Sequence, residues 1–443
     1  MKSKYLLIII GLMGWGSSLY SQEKWSLEKC IAYALDHNFT VEQNLLTLES
    51  KKIQLSSAKM GIVPNLAVSV GQNFDFGRAP GVDGIIINES QSTTTFGAGI
   101  SLPIFEGFKN YNQIQSGKLD VQAALHDLEE VRENIELNVT AYYLQVLLNK
   151  EILEIARQQA VITEAHVQRT EELVKNGKVS NAELYTAKAT HAGNIQQITE
   201  AANNLRLALL DLTQLLNLTD SEDFDIETID DKDFENLLVR PITLSDVINR
   251  AMQNRPAVKA ALVRIDKSIR DIKVARSGWY PSLSLSANYG TGYYHTLTQN
   301  NLYPNLPFSY QFKNNSREMI ALSLNIPVFD RLNTYHNVSM SKLQKQSEEI
   351  KLEETKVNLI KNIEQAYANA MGSRENYTAA MATQEASRIA YEYEEIKYNA
   401  GSSTVFEFNE SKNKYEKAQS DVVQAKYNFL IRIKILEFYS KEY

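Results

Sequence analysis

Four segments of the chain alternate strictly between apolar and polar residues, which is the pattern of a β-strand with two different faces. They fall into two pairs, 65–76 with 96–104 and 282–293 with 320–328. One side of each segment is apolar, and the other carries mostly glycine, serine or asparagine. The pattern therefore predicts two β-hairpins, and a small soluble sheet is the simplest alternative interpretation.

Long helical patterns follow each predicted hairpin. Apolar residues recur every three or four positions over 105–175 and again over 332–399, as in the seam of a coiled coil. About 70 residues at 1.5 Å each form a rod of roughly 100 Å, which is too long for the core of a compact domain. Breaks at Gly177 and Gly401 predict that each rod reverses into a second helix, over 179–216 and 403–439.

The second half of the sequence repeats the plan of the first half. Leu27, Gly61 and Pro64 recur at one constant spacing as Leu244, Gly278 and Pro281, and the later corner residues recur after a single change of spacing. The repeat predicts N-terminal helices at 22–63 and 242–280, hairpins at 64–104 and 281–329, and long helical hairpins at 105–217 and 330–443. A predicted signal peptide at 1–21 precedes the first repeat, and a predicted acidic linker at 218–241 separates the two.

The predicted strands also suggest an assembly. Four strands cannot close a barrel, and open strand edges are not tolerated in lipid, so several chains would have to share one barrel. Two chains would give eight strands, which side chains normally fill, whereas three give twelve strands and a lumen. The small and polar strand residues suit a wet lumen, and the sequence favours at least a trimer. The residues expected to face lipid are Phe96, Ile100, Leu102, Leu283, Leu285, Leu322 and Leu324.

The first 21 residues read as a secretory signal, with two lysines, a short apolar run and small residues that predict cleavage near Ser21. No later stretch reaches 18 apolar residues, so no transmembrane helix is expected. The net charge of −7 argues against nucleic acid as a partner. Cys30 is the only cysteine, and its place in a helix start favours a packed thiol over a lipid-bearing residue.

Catalytic chemistry has little support in the sequence. The six histidines show no metal-ligand spacing, and neither a phosphate-binding glycine loop nor a nucleophile motif is present, so we predict no enzyme activity, cofactor or metal site. The stretch 220–235 is strongly acidic. It reads either as a contact surface for a cationic partner or as a solvated linker packed on the outside of the rods, and the second interpretation is favoured.

Several motifs together resemble the TolC-like outer membrane efflux protein family. The residues on which this resemblance rests are Trp25-Ser-Leu-Glu, the corners Ser101-Leu-Pro-Ile-Phe and Asn325-Ile-Pro-Val-Phe, and the two glycine tips. The segment Asn73-Phe-Asp-Phe-Gly-Arg is similar to members of the Bacteroidetes kind. The resemblance implies a homotrimer that forms a twelve-stranded barrel in outer membrane lipid, with an α-helical tunnel across the periplasm. It also implies docking to a periplasmic adaptor (membrane fusion protein), itself joined to an inner-membrane RND or ABC pump.

The resemblance also implies a gate at the helix tips. Glu407 and Glu410 fall where the family has its acidic constriction; they are three apart on one helix, so three copies would stack two cation-favouring rings. Two solvated glutamates are the alternative. Tyr398 and Glu183 match a tyrosine and an acid that hold the family's closed state, but the family arginine position is Ser403, with Lys178 a speculative substitute.

The tips that adaptors grip in this family correspond to Gly177, Lys178, Val179, Gly401 and Ser402. The predicted function is therefore a passive exit duct in a tripartite efflux or type I secretion system, located in the outer membrane with a long periplasmic extension. A periplasmic coiled-coil adaptor or scaffold without a barrel is the alternative. The sequence assigns neither cargo nor pump class.

Overall fold

The computed structural model describes residues 24–80, 85–88, 90–218, 224–228, 234, 237–238, 241–297 and 304–441. The predicted signal peptide and most of the acidic linker lie outside these residues. The chain forms two compact units. One contains Arg132–Val247, Ile363–Ser440 and the described residues up to Phe39, and the other contains Thr40–Val131 and Ile248–Asn362. The finer domain division given above stays a prediction.

The second unit contains a four-stranded antiparallel sheet in the order β1-β4-β5-β6. A short ladder of β2 with β3 lies in the first hairpin. In chain order the strands are Asn65–Asp75 (β1), Arg78–Pro80 (β2), Ile86–Asn88 (β3), Gln91–Glu106 (β4), Ser282–Thr296 (β5) and Arg317–Asn325 (β6). Both predicted hairpins are therefore present, and they join through β4 and β5 into one sheet.

The strand register places the predicted apolar positions on one side of this sheet. Ile100 lies opposite Leu66 on β1 and opposite Ala287 on β5. Leu285 in turn lies opposite Leu322 on β6. Residues that oppose each other in an antiparallel pair point to the same face, so the apolar sets of all four strands coincide. The other face carries glycine, serine, threonine and asparagine from β1, β4 and β5.

The long helices fall into pairs of equal length, as expected for a duplicated chain. The two longest helices have 67 residues each, and the helices that follow them have 35 each. None of the described helices is long and apolar enough to cross a membrane. In chain order the helices are Leu27–His37 (α1), Phe39–Met60 (α2), Lys109–Lys175 (α3), Asn181–Leu215 (α4), Leu244–Asn254 (α5), Pro256–Arg276 (α6), Phe308–Asn314 (α7), Asn333–Asn399 (α8) and Val405–Tyr439 (α9).

The junction between β4 and α3 differs from the prediction. We expected the helix to begin at Phe105, but β4 continues to Glu106 and the helix begins at Lys109. The strand passes Pro103 because the register shifts there, and a proline without an N–H is tolerated at such a bulge. Gly107 and Phe108 then adopt left-handed φ angles of 60° and 64°, which turn the chain into the helix.

The corresponding junction in the second repeat also differs. The alternation predicted to Val328 stops at Asn325, and α8 begins at Asn333, one residue later than predicted. Arg331 and Leu332 occupy left-handed φ angles of 56° and 63° at this corner. The loop between β5 and β6 contains α7, whose rings Phe308 and Phe312 contact Phe96 with centroids 6.1 and 5.4 Å away.

The first unit packs the N-terminal residues against the described part of the linker. Trp25 forms a parallel bridge with Ile226, which is fully buried. The Tyr143 hydroxyl donates to the carbonyls of Trp25 and Glu227 at 3.1 and 2.8 Å. Cys30 is completely buried, and burial raises the pKa of its thiol to about 12, as expected for a packed cysteine.

Asp225 is the acidic linker residue whose environment is best defined. Its carboxylate forms an ion pair with Lys150 and lies 3.6 Å from Lys24 Nζ. The next residue, Ile226, is covered by the protein, and its carbonyl accepts a hydrogen bond from Lys150 Nζ at 2.8 Å. The described linker is therefore bound to its own chain at this point, which argues against a cation-binding surface there.

Candidate functional site at the helix tips

The two helix tips end in the same turn. Gly177 and Gly401 adopt left-handed φ angles of 69° and 73°. At the first tip the Gly177 N–H donates to Val174 O and the Lys178 N–H to Leu173 O, each at 2.9 Å. This pair of bonds is the Schellman motif, and Gly401 and Ser402 repeat it at the second tip. No atom lies within 4 Å of a Cβ built on either glycine, so the backbone angle alone requires glycine.

Both returning helices begin with a side-chain cap. At α4 the Ser180 hydroxyl accepts a hydrogen bond from the Glu183 N–H. At α9 the Thr404 hydroxyl accepts from the Glu407 N–H at 3.3 Å, while the Glu407 carboxylate accepts from the Thr404 N–H at 2.9 Å. This capping box makes Glu407 a helix-start residue, and the Thr404 N–H is the main cause that lowers the pKa of its carboxyl group.

The predicted tyrosine and acid meet across the two tips. The Tyr398 hydroxyl on α8 donates to Glu183 Oε1 on α4 at 3.1 Å. Burial, followed by the Glu183 charge, raises the pKa of Tyr398 to about 12, so the hydroxyl stays a donor at neutral pH. The structure thus brings together residues that are 215 positions apart in the sequence.

A second bond across the tips was not predicted. Arg169 Nη2 on α3 donates to Asn399 Oδ1 at the end of α8 at 2.9 Å. The Lys178 side chain, the predicted substitute for the family arginine, is exposed, and its role in closing the tip stays a prediction. The Ser403 hydroxyl donates to Glu394 on α8 and Glu407 on α9. Both partners belong to the second tip, as Ser403 does, so these bonds do not join the two tips. The sequence indicated only that Arg169 is a basic residue near the end of α3, and not that it contacts the second tip.

The two predicted constriction glutamates both lie on the exposed side of α9. Glu407 is engaged in its capping box, and Glu410 pairs with Lys414 at 2.7 Å. An exposed pair of this kind contributes little stability and leaves the carboxylate in contact with water. Their role as rings in an assembled tunnel stays a prediction.

An aromatic cluster supports the bonds across the tips. Phe408 on α9 is 6% exposed and stacks on Tyr398 with a centroid distance of 4.8 Å. His166 on α3 and Tyr391 on α8 also contact Phe408, at 5.6 and 5.8 Å. This cluster was not predicted from the sequence. Burial, then the charges of Lys412 and Arg169, lowers the pKa of His166, which favours the neutral ring in the packed tip.

Several solved structures of membrane channels share this fold. The structure of CusC aligns with a TM-score of 0.78 and 16% identity, covering 95% of each chain. The open state of the Neisseria gonorrhoeae MtrE outer membrane channel gives 0.72 and 18%, covering 93% of this chain and 88% of that one. The Campylobacter jejuni CmeC outer membrane channel gives 0.74 and 19%, covering 94% and 85%. The fold is therefore that of this class of channels.

Sequence relatives lead to the same class. Outer membrane protein OprJ of Pseudomonas aeruginosa is 24% identical over 88% of this chain and 78% of its own length. Outer membrane protein TolC of Escherichia coli is 19% identical over 97% and 84%. The cobalt-zinc-cadmium resistance protein CzcC of Cupriavidus metallidurans is 23% identical over 59% of this chain, and the match spans only 57% of CzcC.

The fold and these relatives define an outer membrane efflux channel. The sequence model of the outer membrane efflux protein family matches residues 30–218 and 247–438, and the chain belongs to this family. The predicted family, the combination of sheet and long helices, and the outer membrane location are confirmed. The alternative of a periplasmic adaptor is not supported. The finer resemblance to Bacteroidetes members stays a prediction.

Proposed function

We propose that the protein is the exit duct of a tripartite efflux or type I secretion system and works as a homotrimer that conducts passively. The observation that carries this proposal is the four-stranded sheet, whose apolar residues share one face and whose outer strands β1 and β6 have unpaired edges among the described residues. Unpaired backbone groups are not tolerated in lipid, so these edges need partners from other copies. Three copies would supply twelve strands, with the small and polar face turned to the lumen.

Two exposed helical stripes support the same assembly. On α2, Leu46, Ile53 and Met60 repeat every seventh residue and are 66%, 63% and 59% exposed. On α8, Leu343, Ile350 and Val357 repeat at the same spacing and are 60%, 69% and 62% exposed. Apolar residues at a seven-residue period form the seam of a coiled coil, so each stripe fits a second helix.

The stripes continue the two free strand edges. Helix α2 leads into β1, and α8 follows β6. One copy would therefore place its β1 edge and α2 stripe against the β6 edge and α8 stripe of the next copy, with antiparallel strands and helices. Such a head-to-tail interface uses two different surfaces and closes into a ring.

Cysteine cross-linking tests this assembly directly. Ile53→Cys combined with Ile350→Cys, in a Cys30→Ala background, should form dimers and trimers on SDS gels after mild oxidation of detergent-extracted membranes. Each single cysteine alone is the matched control, because a head-to-tail contact needs both residues. A protein that is monomeric and soluble in plain buffer would overturn the proposal.

We propose that the helix tips are the entry gate and the adaptor contact. The bonds Tyr398–Glu183 and Arg169–Asn399 would hold the tips closed, and the periplasmic adaptor would grip Gly177, Lys178, Val179, Gly401 and Ser402. The exposure of both glycine turns supports this assignment. Glu407 and Glu410 of three copies would form two acidic rings at the entrance.

The adaptor contact can be tested by replacing exposed tip residues. Lys178→Glu with Ser402→Glu should prevent an inner-membrane pump and its adaptor from co-purifying with the channel, while trimer formation is retained. Undiminished co-purification would place the contact elsewhere. We propose that the pump, an RND or an ABC protein, selects the cargo and supplies the free energy, and that the duct itself performs no bond chemistry and needs no cofactor.

A further inference from the structure

Helix α9 carries a buried lysine where it faces α3 near the tip. Lys412 is only 4% exposed. Phe408 lies one turn before it and Glu416 one turn after it, so the three share one side of the helix. Phe408 contacts His166 of α3, and the Glu416 carbonyl accepts a hydrogen bond from Gln159 Nε2 of α3 at 3.4 Å. Lys412 thus lies between two contacts that join α9 to α3.

The buried charge is weakly compensated. Lys412 Nζ is 3.5 Å from Glu416 Oε1, and the side chains of the two residues are 5% and 14% exposed. Glu416 Oε1 is itself buried and accepts no hydrogen bond from any described residue. An ion pair removed from water stabilises a fold only when its geometry is good and further hydrogen bonds satisfy its remaining atoms. Glu416 Oε1 of this pair has no such further hydrogen bond, so the burial of the two charges is incompletely compensated.

Further polar side chains are buried close to Lys412. At the same level of the bundle, α3 and α4 bury Gln159, Thr163 and Asn194. Along α9, the buried residues between the tip and Ala418 are Phe408 and Lys412. Beyond Ala418 the buried residues of α9 are apolar, and they are Val422, Val423, Ala425, Phe429, Leu430, Ile433, Leu436 and Phe438. Beyond the aromatic cluster at Phe408, the buried side of α9 therefore carries the charged Lys412 first and apolar residues from Ala418 onward.

We propose that the Lys412–Glu416 pair keeps the closed tip only marginally stable, so that α9 separates from α3 as far as Ala418 when an adaptor engages the tips. This inference rests on the proposed gate. Buried polar groups regain hydrogen bonds to water when they are exposed, whereas aliphatic residues lose their burial. The segment of α9 around Lys412 thus opens at a lower free-energy cost than the apolar segment beyond Ala418, which stays closed and limits the opening.

Two variants with opposite expected effects test the inference. Lys412→Met with Glu416→Met replaces the pair by apolar side chains of similar volume, which should stabilise the closed tip and lower the open fraction of single channels by about ten-fold. Glu416→Gln alone leaves an uncompensated buried lysine and should raise the open fraction by about ten-fold. The open fraction is measured in planar bilayers, with the thermal midpoint of the detergent-solubilised trimer recorded alongside.

The matched control is an ion pair of the same spacing that is more exposed than Lys412 and Glu416. Lys345 and Glu349 on α8 form an ion pair but are 30% and 46% exposed, so Lys345→Met with Glu349→Met should leave the open fraction unchanged. An open fraction that moves in the same direction in both Lys412–Glu416 variants, or in neither, would overturn the inference. Failure to form any channel would instead contradict the proposed function, so the two failures are distinguishable.

Discussion

The Tyr398 hydroxyl donates a hydrogen bond of 3.1 Å to Glu183 Oε1, and the two residues belong to different repeats of the duplicated chain. The Tyr398 ring also stacks on Phe408, which is nearly fully buried. One side chain therefore joins α8 to α4 through its hydroxyl group and to α9 through its ring. This double contact makes Tyr398 the most direct place to test the proposed gate.

Tyr398→Phe removes the hydroxyl and keeps the ring. A single hydrogen bond to a charged group contributes about 1.5–3 kcal/mol, so the open fraction of the channel should rise by at least roughly ten-fold in planar bilayers. Tyr393→Phe is the matched control, because Tyr393 lies on the same helix and is 65% exposed. Equal effects of the two variants on the open fraction would show that the Tyr398–Glu183 hydrogen bond has no role in gating.

Acid should open the tip through His166. Its pKa is lowered by burial and by Lys412 and Arg169, against an opposing effect of Glu183. An open tip would expose the ring and restore its ordinary pKa of 6.5. The contribution of neutral His166 to closure is therefore complete above pH 6.5 and is lost as the pH falls through the lowered pKa. The open fraction should rise on acidification in the parent protein, and His166→Gln should flatten this dependence. An identical pH profile in the variant would contradict the assignment.

The acidic rings predict sensitivity to multivalent cations. Glu407→Gln with Glu410→Gln should weaken block by hexaamminecobalt(III) added on the periplasmic side, because two charges per chain are removed. The Thr404 N–H holds the pKa of Glu407 below its ordinary value of 4.5. Glu407 therefore stays charged at pH 4.5, and block of the parent channel should persist down to this pH. Glu353→Gln with Glu354→Gln, far from Gly401 along the chain, is the control. Unchanged block in the tip variant would place the rings elsewhere.

Neighbouring residues of β4 test the orientation of the sheet. Ile100 lies on the apolar face and Ser101 on the small, polar one. An arginine facing lipid near the membrane midplane costs about 2–4 kcal/mol, so Ile100→Arg should reduce the amount of assembled trimer in outer membranes. Ser101→Arg should assemble normally and lower the cation preference of the current. The reverse outcome would invert the assignment of the two faces.

Two glycines should respond oppositely to alanine. Gly107 has a φ angle of 60°, and a Cβ there would lie 2.7 Å from Ser277 O, so Gly107→Ala should destabilise the protein by roughly 1–3 kcal/mol. Gly193 lies within α4 with open space around it, and Gly193→Ala should stabilise the helix by about 0.5–1 kcal/mol. Thermal unfolding in detergent, followed by circular dichroism, measures both changes. A loss of stability in Gly193→Ala would mean that another copy covers this position.

Periodicity determined most of the fold. The two-residue alternation predicted all four strands of the sheet, because side chains that alternate between two environments must alternate in polarity. The three- and four-residue spacing predicted the long helices, and the glycines at 177 and 401 predicted both reversals. These signals are local, so the sequence contains them in full. The corners after Pro103 and before Asn333 were misplaced, because bulges and left-handed angles outside glycine have no reliable sequence pattern.

Only the tertiary structure decided which side chains meet. The sequence placed Tyr398 and Glu183 in one site through a family resemblance, and their hydrogen bond required the coordinates. It gave no sign that Arg169 reaches Asn399, that Phe408 supports Tyr398, or that Lys412 is buried. On a long helix the same lysine is exposed or buried according to which helix packs beside it. Helix packing brings together residues from distant parts of the chain, and no local pattern records that choice.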